Sequence, residues 1–239
     1  MSLKEIFSDS LRYPFADVSK FVILGILTLI AAMSSILVNY DVGGAVMAIV
    51  GVISFIAGLA ISGYGVSLIK SGIEKSPDVP GIDFTNNVID GVKVLVINAI
   101  YLVIPLAIVI ILAALSTMGL LVDKQVFFGL GLTVIVAAVI LYLLFGLMDY
   151  VAIARFANTR EFSDAIAIKE VFRDIKRIGI FKVIGFVILL FVLILVIAVI
   201  LGLIGFIPYV GSVISSFVGG SYLIFFANRA LGLLYGDSE

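Results

Sequence analysis

The chain has 239 residues, of which 63% are hydrophobic and 13% are charged, and its formal net charge at pH 7 is −1. A soluble domain carries about 25% charged residues, so this composition is typical of a protein embedded in a membrane. The near-zero net charge excludes a general attraction to nucleic acid. The chain contains neither Cys nor His, which excludes disulfides, thiolate or imidazole metal ligands and a histidine general base. We therefore expect no cofactor and no enzymatic activity.

The first part of the chain contains one short charged segment followed by two apolar runs. Residues 2–15 predict a short amphipathic helix, because their apolar side chains recur at helical spacing opposite charged ones. Asp17 is a suitable N-cap for the next helix. Residues 21–38 and 45–69 each have about the 20 apolar residues that cross a bilayer as a helix, and residues 39–43 predict a tight turn between them.

The second part repeats this order after a Pro-rich connector at residues 77–83. Residues 84–93 predict another short amphipathic helix. Residues 94–115 and 126–150 predict the third and fourth spans. Pro105 lies inside the third span, where a Pro is tolerated and predicts a kink.

The third part opens with a charged amphipathic segment at residues 161–182. No charged residue then occurs between Lys182 and Arg229, and a Pro-Tyr-Val-Gly break at residues 208–211 divides this run near its middle. Two crossings joined by a tight turn fit its length.

The order of amphipathic helix, span and span therefore occurs in three approximate repeat units, residues 3–75, 84–158 and 161–235. This pattern predicts an all-α integral membrane protein with a single membrane domain, residues 1–239. Six transmembrane helices would form three hairpins, each preceded by a cytoplasmic amphipathic interfacial helix. This order fits either an internal repeat about an axis along the membrane normal or the alternation of polar and apolar segments found in any six-helix membrane protein.

The distribution of Lys and Arg predicts the orientation of the chain. Every Lys and Arg except Lys124 falls in the segments on the N-terminal side of the predicted spans. Because positive residues are retained on the cytoplasmic side, we expect a multi-pass protein of the cell membrane with both termini in the cytoplasm.

The predicted spans carry no ionisable residue near their centres. This argues against a pump, a proton-coupled carrier or an intramembrane protease, which need such groups. Asp149 is the acidic residue deepest in an apolar run. It is either an interfacial carboxylate paired with a Lys or Arg, or a polar contact at the mouth of a cavity between the hairpins, with Asn98 and Ser62 at similar depth.

Small residues recur along two of the spans. Gly51, Gly58, Gly63 and Gly65 lie on the second, and Ser and Gly residues recur between 212 and 220 on the last. Small residues let helices approach closely in lipid, so we expect helix packing there, with a ligand close to the backbone as the alternative.

The most informative charged segment is the amphipathic stretch at residues 165–182. Its basic residues are Lys169, Arg173, Lys176, Arg177 and Lys182. Its apolar residues that can share the other face are Ile168, Val171, Phe172, Ile175 and Ile178. The basic face is expected either to lie on anionic lipid headgroups, at about 1 kcal/mol per charge, or to dock a membrane or cytoplasmic protein partner, or to do both.

Three short motifs resemble a known family. They are Leu-Arg-Tyr-Pro-Phe at residues 11–15, Ile-Pro-Tyr-Val-Gly-Ser-Val-Ile at 207–214, and Ala-Asn-Arg-Ala-Leu-Gly-Leu-Leu-Tyr at 227–235. With them the chain resembles, over nearly its whole length, the domain-of-unknown-function family 4013, polytopic membrane proteins found chiefly in archaea. The resemblance implies an archaeal cell-membrane protein and brings no activity and no catalytic residues.

Two functions follow as hypotheses. The first is a non-enzymatic integral membrane scaffold or accessory subunit of a larger assembly, with a protein partner or a second copy of the chain. The alternative is a transporter or channel for a neutral or lipid-like molecule, with its path between the hairpins near Asn98 and Asp149. An enzyme acting at the inner interface through Asp149 ranks third. A solidly packed core would argue against the transporter.

Overall fold

A computed structural model describes residues 1–38, 40, 42–118, 124–207 and 210–238, and only the backbone of residues 115–118, 124–128 and 130. Over these residues the chain is all-helical, as predicted. The helices are α1 (Leu3–Arg12), α2 (Val18–Leu37), α3 (Gly44–Ile73), α4 (Phe84–Met118), α5 (Lys124–Thr159), α6 (Phe162–Ala165), α7 (Ile168–Ile178), α8 (Ile180–Gly205), α9 (Gly211–Ile214) and α10 (Ser221–Gly236). A 3₁₀ turn at Tyr13–Phe15 and a π-helical turn at Ser215–Gly220 complete them.

Within the described part of the chain, six helical segments are long and apolar enough to cross a membrane. They are Val18–Leu37, Gly44–Ile73, Phe84–Ala114, Gly131–Thr159, Ile180–Gly205 and Gly211–Gly236. The six predicted spans are therefore found as six helices. The predicted turns at residues 39–43 and 208–211 include Asn39, Asp41, Pro208 and Tyr209, which lie outside the described residues. Residues 119–123, between the third and fourth spans, also lie outside them.

The predicted separate helix at residues 84–93 is wrong, because α4 runs without interruption from Phe84 to Met118. Asp83 caps its start through a hydrogen bond from the Asn86 amide to its Oδ1, 3.2 Å long. No Pro stands between this cap and the apolar part of the helix, so the change from amphipathic to apolar sequence produces no break. Pro105 lies inside α4, as predicted.

The helix starts in the first part of the chain depend on side-chain caps. Ser2 and Glu5 form a reciprocal capping box at the start of α1. The predicted cap of α2 is confirmed, since Oδ1 of Asp17 accepts a 3.0 Å hydrogen bond from the Lys20 amide. Pro14 lies in the 3₁₀ turn that separates the two helices.

The second helix of each predicted unit lies at the centre of the bundle. α3 packs against α2, α4 and α10, while α5 packs against α3, α4 and α10. α8 packs against α9 and the π-helical turn. These contacts bring α3, α5 and α10 together, with α2, α4 and α8 around them.

Burial is concentrated at the C-terminal ends of these three central helices. We call this region the base: residues 63–73, 148–157 and 225–235, together with α1, α6 and α7. Its largest fully buried side chains include Tyr64, Leu68, Phe156, Phe225 and Phe226. Away from the base, Ile135 and Leu143 of α5 and Leu203 of α8 are each more than 60% exposed. The bundle is thus packed at one end and exposes apolar helix surface, suited to lipid, at the other.

Two glycines let α3 and α4 cross with their backbones in contact. A Cβ on Gly63 would overlap the carbonyl oxygen of Asn87, and a Cβ on Gly91 would overlap that of Leu59. A Cβ on Gly58, in contrast, would meet nothing within 4 Å. The packing role predicted for the glycines of α3 therefore holds at Gly63 and fails at Gly58, which borders a groove.

Replacing Gly63 with Ala is expected to destabilise the protein, because overpacking a closed contact costs about 1–3 kcal/mol. At about 2–4 °C per kcal/mol for a chain of this size, the midpoint of thermal unfolding falls by several degrees. Circular dichroism of the protein in maltoside micelles measures it. Gly58→Ala is the matched control, and its midpoint stays level or rises because Ala is the better helix former. Equal midpoints for the two variants would contradict the assigned α3–α4 crossing.

Candidate functional site

The base contains a buried arginine that joins three parts of the chain. Arg229 of α10 is 3% exposed, and its Nε lies 2.9 Å from Oδ1 of Asp9 in α1. Its Nη1 donates to the carbonyl oxygens of Ser76, at 2.7 Å, and Ser71, at 3.1 Å. Its guanidinium lies 4.3 Å from the ring centroid of Tyr13. A buried Arg is tolerated only when its donors are satisfied in this way.

Tyr13 extends this contact to the loop after α3. Its hydroxyl lies 2.9 Å from Oγ of Ser71 and donates to the carbonyl oxygen of Asp78, also at 2.9 Å. Burial raises the pKa of Tyr13 above its usual value. The start of the chain is therefore fixed to the ends of α3 and α10.

A second buried contact involves an acid of α7. Asp174 is 5% exposed, and its Oδ2 accepts hydrogen bonds from Nη1 of Arg155, at 2.8 Å, and from the Tyr235 hydroxyl, at 2.7 Å. Nη2 of Arg177 lies 3.5 Å from Oδ1. Asp174 thus connects α7 to both α5 and α10.

Two of the five predicted basic residues, Arg177 and Lys182, pair with Asp174 and Asp237. Arg177 pairs with Asp174 and lies 5.4 Å from the ring centroid of Tyr235. Nζ of Lys182 lies 2.7 Å from Oδ2 of Asp237. The Lys182 ammonium and the N-terminal ammonium hold the pKa of Asp237 at about 2.

The other three, Lys169, Arg173 and Lys176, are exposed. The side chain of Arg173 is 73% exposed and pairs with Glu170 at 2.6 Å. We call Lys169, Arg173 and Lys176, with Phe172 and Phe181, the α7 surface.

The apolar residues of α7 divide between the base and this surface. Val171, Ile175 and Ile178 are buried, as an amphipathic helix requires. Ile168 and Phe172 are 38% and 44% exposed, and Nζ of Lys176 lies 4.7 Å from the Phe172 ring centroid. At the start of α8, Phe181 is 91% exposed.

Ser62 and Asn98 line one groove between α2, α3 and α4. The groove has a volume of about 480 Å³. Its lining residues are Ala31, Ser34, Gly51, Ser54, Phe55, Gly58, Leu59, Ser62, Val94, Leu95 and Asn98. Its floor is the α3 face on which Gly51 and Gly58 lie.

Asn98 and Asp149 line a second pocket, of about 100 Å³, between α4 and α5. With the Asn98 amide turned so that its nitrogen faces Asp149, that nitrogen lies 3.1 and 3.2 Å from the two carboxylate oxygens. The remaining lining residues are Tyr101, Leu102, Tyr142, Phe145 and Gly146. The structure therefore brings Asn98 together with Asp149 on one side and with Ser62 on the other.

No acidic cluster in the described ranges is placed to hold a metal ion. Asp149 supplies the one carboxylate among the described residues that line its pocket.

Sequence reasoning missed the contacts of Arg229, Asp9, Asp174 and Tyr13. Arg229 marked only the exit of the last span, and its partner Asp9 lies 220 positions away. Spacing along the chain carries no signal for such a pair. One feature of the sequence could have indicated a buried cation: Arg229 is the first charged residue after the long uncharged run and directly borders it.

The family model described as "Protein of unknown function (DUF4013)" matches residues 46–206. No curated protein and no solved structure matches the chain.

Arg229→Met is expected to lower the free energy of unfolding by more than about 2 kcal/mol, because it removes the ion-pair partner of Asp9 and the guanidinium hydrogen bonds to the carbonyl oxygens of Ser71 and Ser76. Arg173→Met removes the same charge from an exposed position and should cost less than about 0.5 kcal/mol. Denaturant unfolding in mixed micelles compares the two variants. Similar losses would show that Arg229 does not stabilise the base.

Proposed function

Since the chain belongs to the family of proteins of unknown function DUF4013, which brings no activity with it, we propose that this multi-pass membrane protein is a non-enzymatic scaffold or accessory subunit of a larger assembly. We place it in the cell membrane, with both termini and the base in the cytoplasm. The observation that carries this proposal is the α7 surface: exposed basic and aromatic side chains on a helix that Asp174 fixes to the bundle.

The α7 surface has the chemistry of a docking site. A mobile charged segment would lose conformational entropy on binding, whereas α7 is already ordered by its contacts with Arg155 and Tyr235. Lys169, Arg173 and Lys176 stay exposed. They suit an acidic protein surface, and Phe172 adds apolar area of the kind enriched in interfaces.

The same surface also suits the membrane interface. Phe181 lies at the first turn of α8, and its ring is 91% exposed, so in a bilayer it would lie among the lipid headgroups or acyl chains. Each of the nearby cations would contribute about 1 kcal/mol against anionic lipid. Lipid contact and partner docking are compatible on one helix, because α7 has room for both along its exposed side.

Two ion pairs support the three proposed repeat units, residues 3–75, 84–158 and 161–235. Arg155, near the end of the second unit, pairs with Asp174 on the helix that opens the third. Arg229, near the end of the third unit, pairs with Asp9 on the helix that opens the first. At the remaining junction α4 has no separate opening helix, and the Gly63–Gly91 crossing joins the units instead.

A transporter or channel for a neutral or lipid-like molecule is the second candidate, favoured by the groove that Ser62 and Asn98 line. The base argues against it. Tyr64, Phe156 and Phe225 are fully buried there, so a path from the groove to the cytoplasm would have to open this packing.

The scaffold proposal is tested by reversing the three exposed charges with Lys169→Glu, Arg173→Glu and Lys176→Glu. A tagged copy is extracted gently from native membranes, and co-purifying proteins are identified by mass spectrometry. We expect a stoichiometric partner with the native chain and its loss, by about tenfold or more, with the triple variant, because three attractive contacts become repulsive. The variant itself should remain in the membrane fraction.

Lys4→Glu with Arg12→Glu is the matched control, since both residues are exposed on α1 at the same base. Retention of the partner by this variant separates docking on α7 from a general charge effect. A native chain that purifies alone, or a partner that the triple variant retains, would contradict the proposal and make flux in liposomes the next measurement.

A further inference from the structure

The pocket between α4 and α5 contains the carboxylate of Asp149, which forms no ion pair with the residues that the structure describes. Within the described ranges, the contact of the Asp149 carboxylate is the Asn98 amide nitrogen. The rings of Tyr101, Tyr142 and Phe145 line the same space. The Tyr101 and Phe145 ring centroids lie 6.5 Å apart, with the rings tilted.

The neighbouring cations are engaged elsewhere. Arg155 pairs with Asp174, Arg160 pairs with Asp90, and Lys93 pairs with Asp90 while lying 5.5 Å from a Phe156 ring. A side chain would have to break one of these contacts to neutralise Asp149. Among the described residues, these cations therefore pair with other acids and not with Asp149.

The position of the pocket along α4 and α5 bears on its function. Asp149 is six residues before Arg155, and Asn98 is five residues after Lys93, so at 1.5 Å per residue each lies about 8–9 Å from that cation along its helix. The Tyr101 hydroxyl donates to the carbonyl oxygen of Ala165 in α6, at 2.9 Å. Asp149 therefore lies inside an apolar span, Gly131–Thr159, near its charged end, and an ionisable residue within a membrane span is a candidate functional residue.

The lining selects one kind of cation. A divalent metal ion takes several oxygen ligands, and this pocket offers one carboxylate. An alkylammonium group is bound by aromatic faces through cation–π attraction and by a carboxylate through charge. Three aromatic rings around one acid are the donor set for an ammonium head.

The adjoining groove supplies a place for an apolar chain. Asn98 lines both spaces. The groove is lined by apolar and glycine residues together with three serines: Ala31, Gly51, Phe55, Gly58, Leu59, Val94 and Leu95, with Ser34, Ser54 and Ser62. A groove of about 480 Å³ lies within the usual range of about 300–1,000 Å³ for ligand sites.

We propose that this pocket binds the ammonium head of a membrane amphiphile through Asp149, Asn98, Tyr101, Tyr142 and Phe145, with its hydrocarbon chain in the groove between α2, α3 and α4. This site lies away from the α7 surface and does not depend on the scaffold proposal.

Equilibrium dialysis of radiolabelled dodecyltrimethylammonium, at trace level in neutral maltoside micelles, tests the site on the full chain. We expect saturable binding of one molecule per chain, and little binding of radiolabelled dodecanol, which has the same chain without the charge. Asp149→Asn should weaken probe binding by more than about tenfold, since it removes the opposite charge. Tyr142→Leu should weaken it by about two- to fivefold.

Glu161→Gln is the matched control. Like Asp149→Asn it removes one carboxylate, but from an exposed position outside the pocket, so it should leave binding unchanged. The Lys169, Arg173 and Lys176 triple variant should also bind the probe normally, which separates this site from the scaffold role. Absence of saturable binding, equal binding of dodecanol, or unchanged binding by Asp149→Asn would overturn the proposal. If Asp149→Asn does not elute as the native chain does, the comparison of the two probes on the native chain decides.

Discussion

The structure depends on where charge can be placed in a chain this apolar. A charged side chain is costly in the hydrocarbon region, and the sequence excludes such residues from the run between Lys182 and Arg229. At the end of that run, Arg229 is buried and satisfied by Asp9 and two carbonyl oxygens. Asp174 plays the reciprocal part for Arg155. Two ion pairs, each with one buried partner, thus hold together the ends of helices that have little other reason to meet in lipid, where apolar surface drives no association.

Helix packing also differs between the base and the rest of the bundle. Near the base, glycines bring helix backbones into contact, as Gly63 and Gly91 do between α3 and α4. Farther from the base, the helices expose Leu, Ile and Val side chains. Between these regions lie the groove and the pocket of Asp149, at the level where α3 and α4 have separated beyond their crossing. One side of α7 stays exposed because Asp174 fixes the other side to the bundle, and the groove lies along the parts of α3 and α4 beyond their crossing.

The spans were readable from the sequence because about 20 apolar residues between charged exits leave few alternatives to a membrane helix. The separate helix at residues 84–93 was wrong because a change of composition does not end a helix when its backbone hydrogen bonds can continue. The depth of Ser62, Asn98 and Asp149 followed from counting residues, and the structure places Asn98 beside both others. The Arg229–Asp9 and Arg155–Asp174 pairs could not be predicted, since they depend on which helices pack together and not on any local pattern.

The proposed orientation puts the base, which includes α7, on the cytoplasmic side of the membrane and the opposite helix ends outside. The chain contains no Cys, so single substitutions report without background. Val38→Cys and Phe206→Cys mark exposed positions at the far ends of α2 and α8, and Lys169→Cys marks the α7 surface. A membrane-impermeant maleimide is predicted to label the first two variants in intact cells, and Lys169→Cys only after the membrane is permeabilised. Labelling of Lys169→Cys in intact cells, or opposite results for Val38→Cys and Phe206→Cys, would contradict the account.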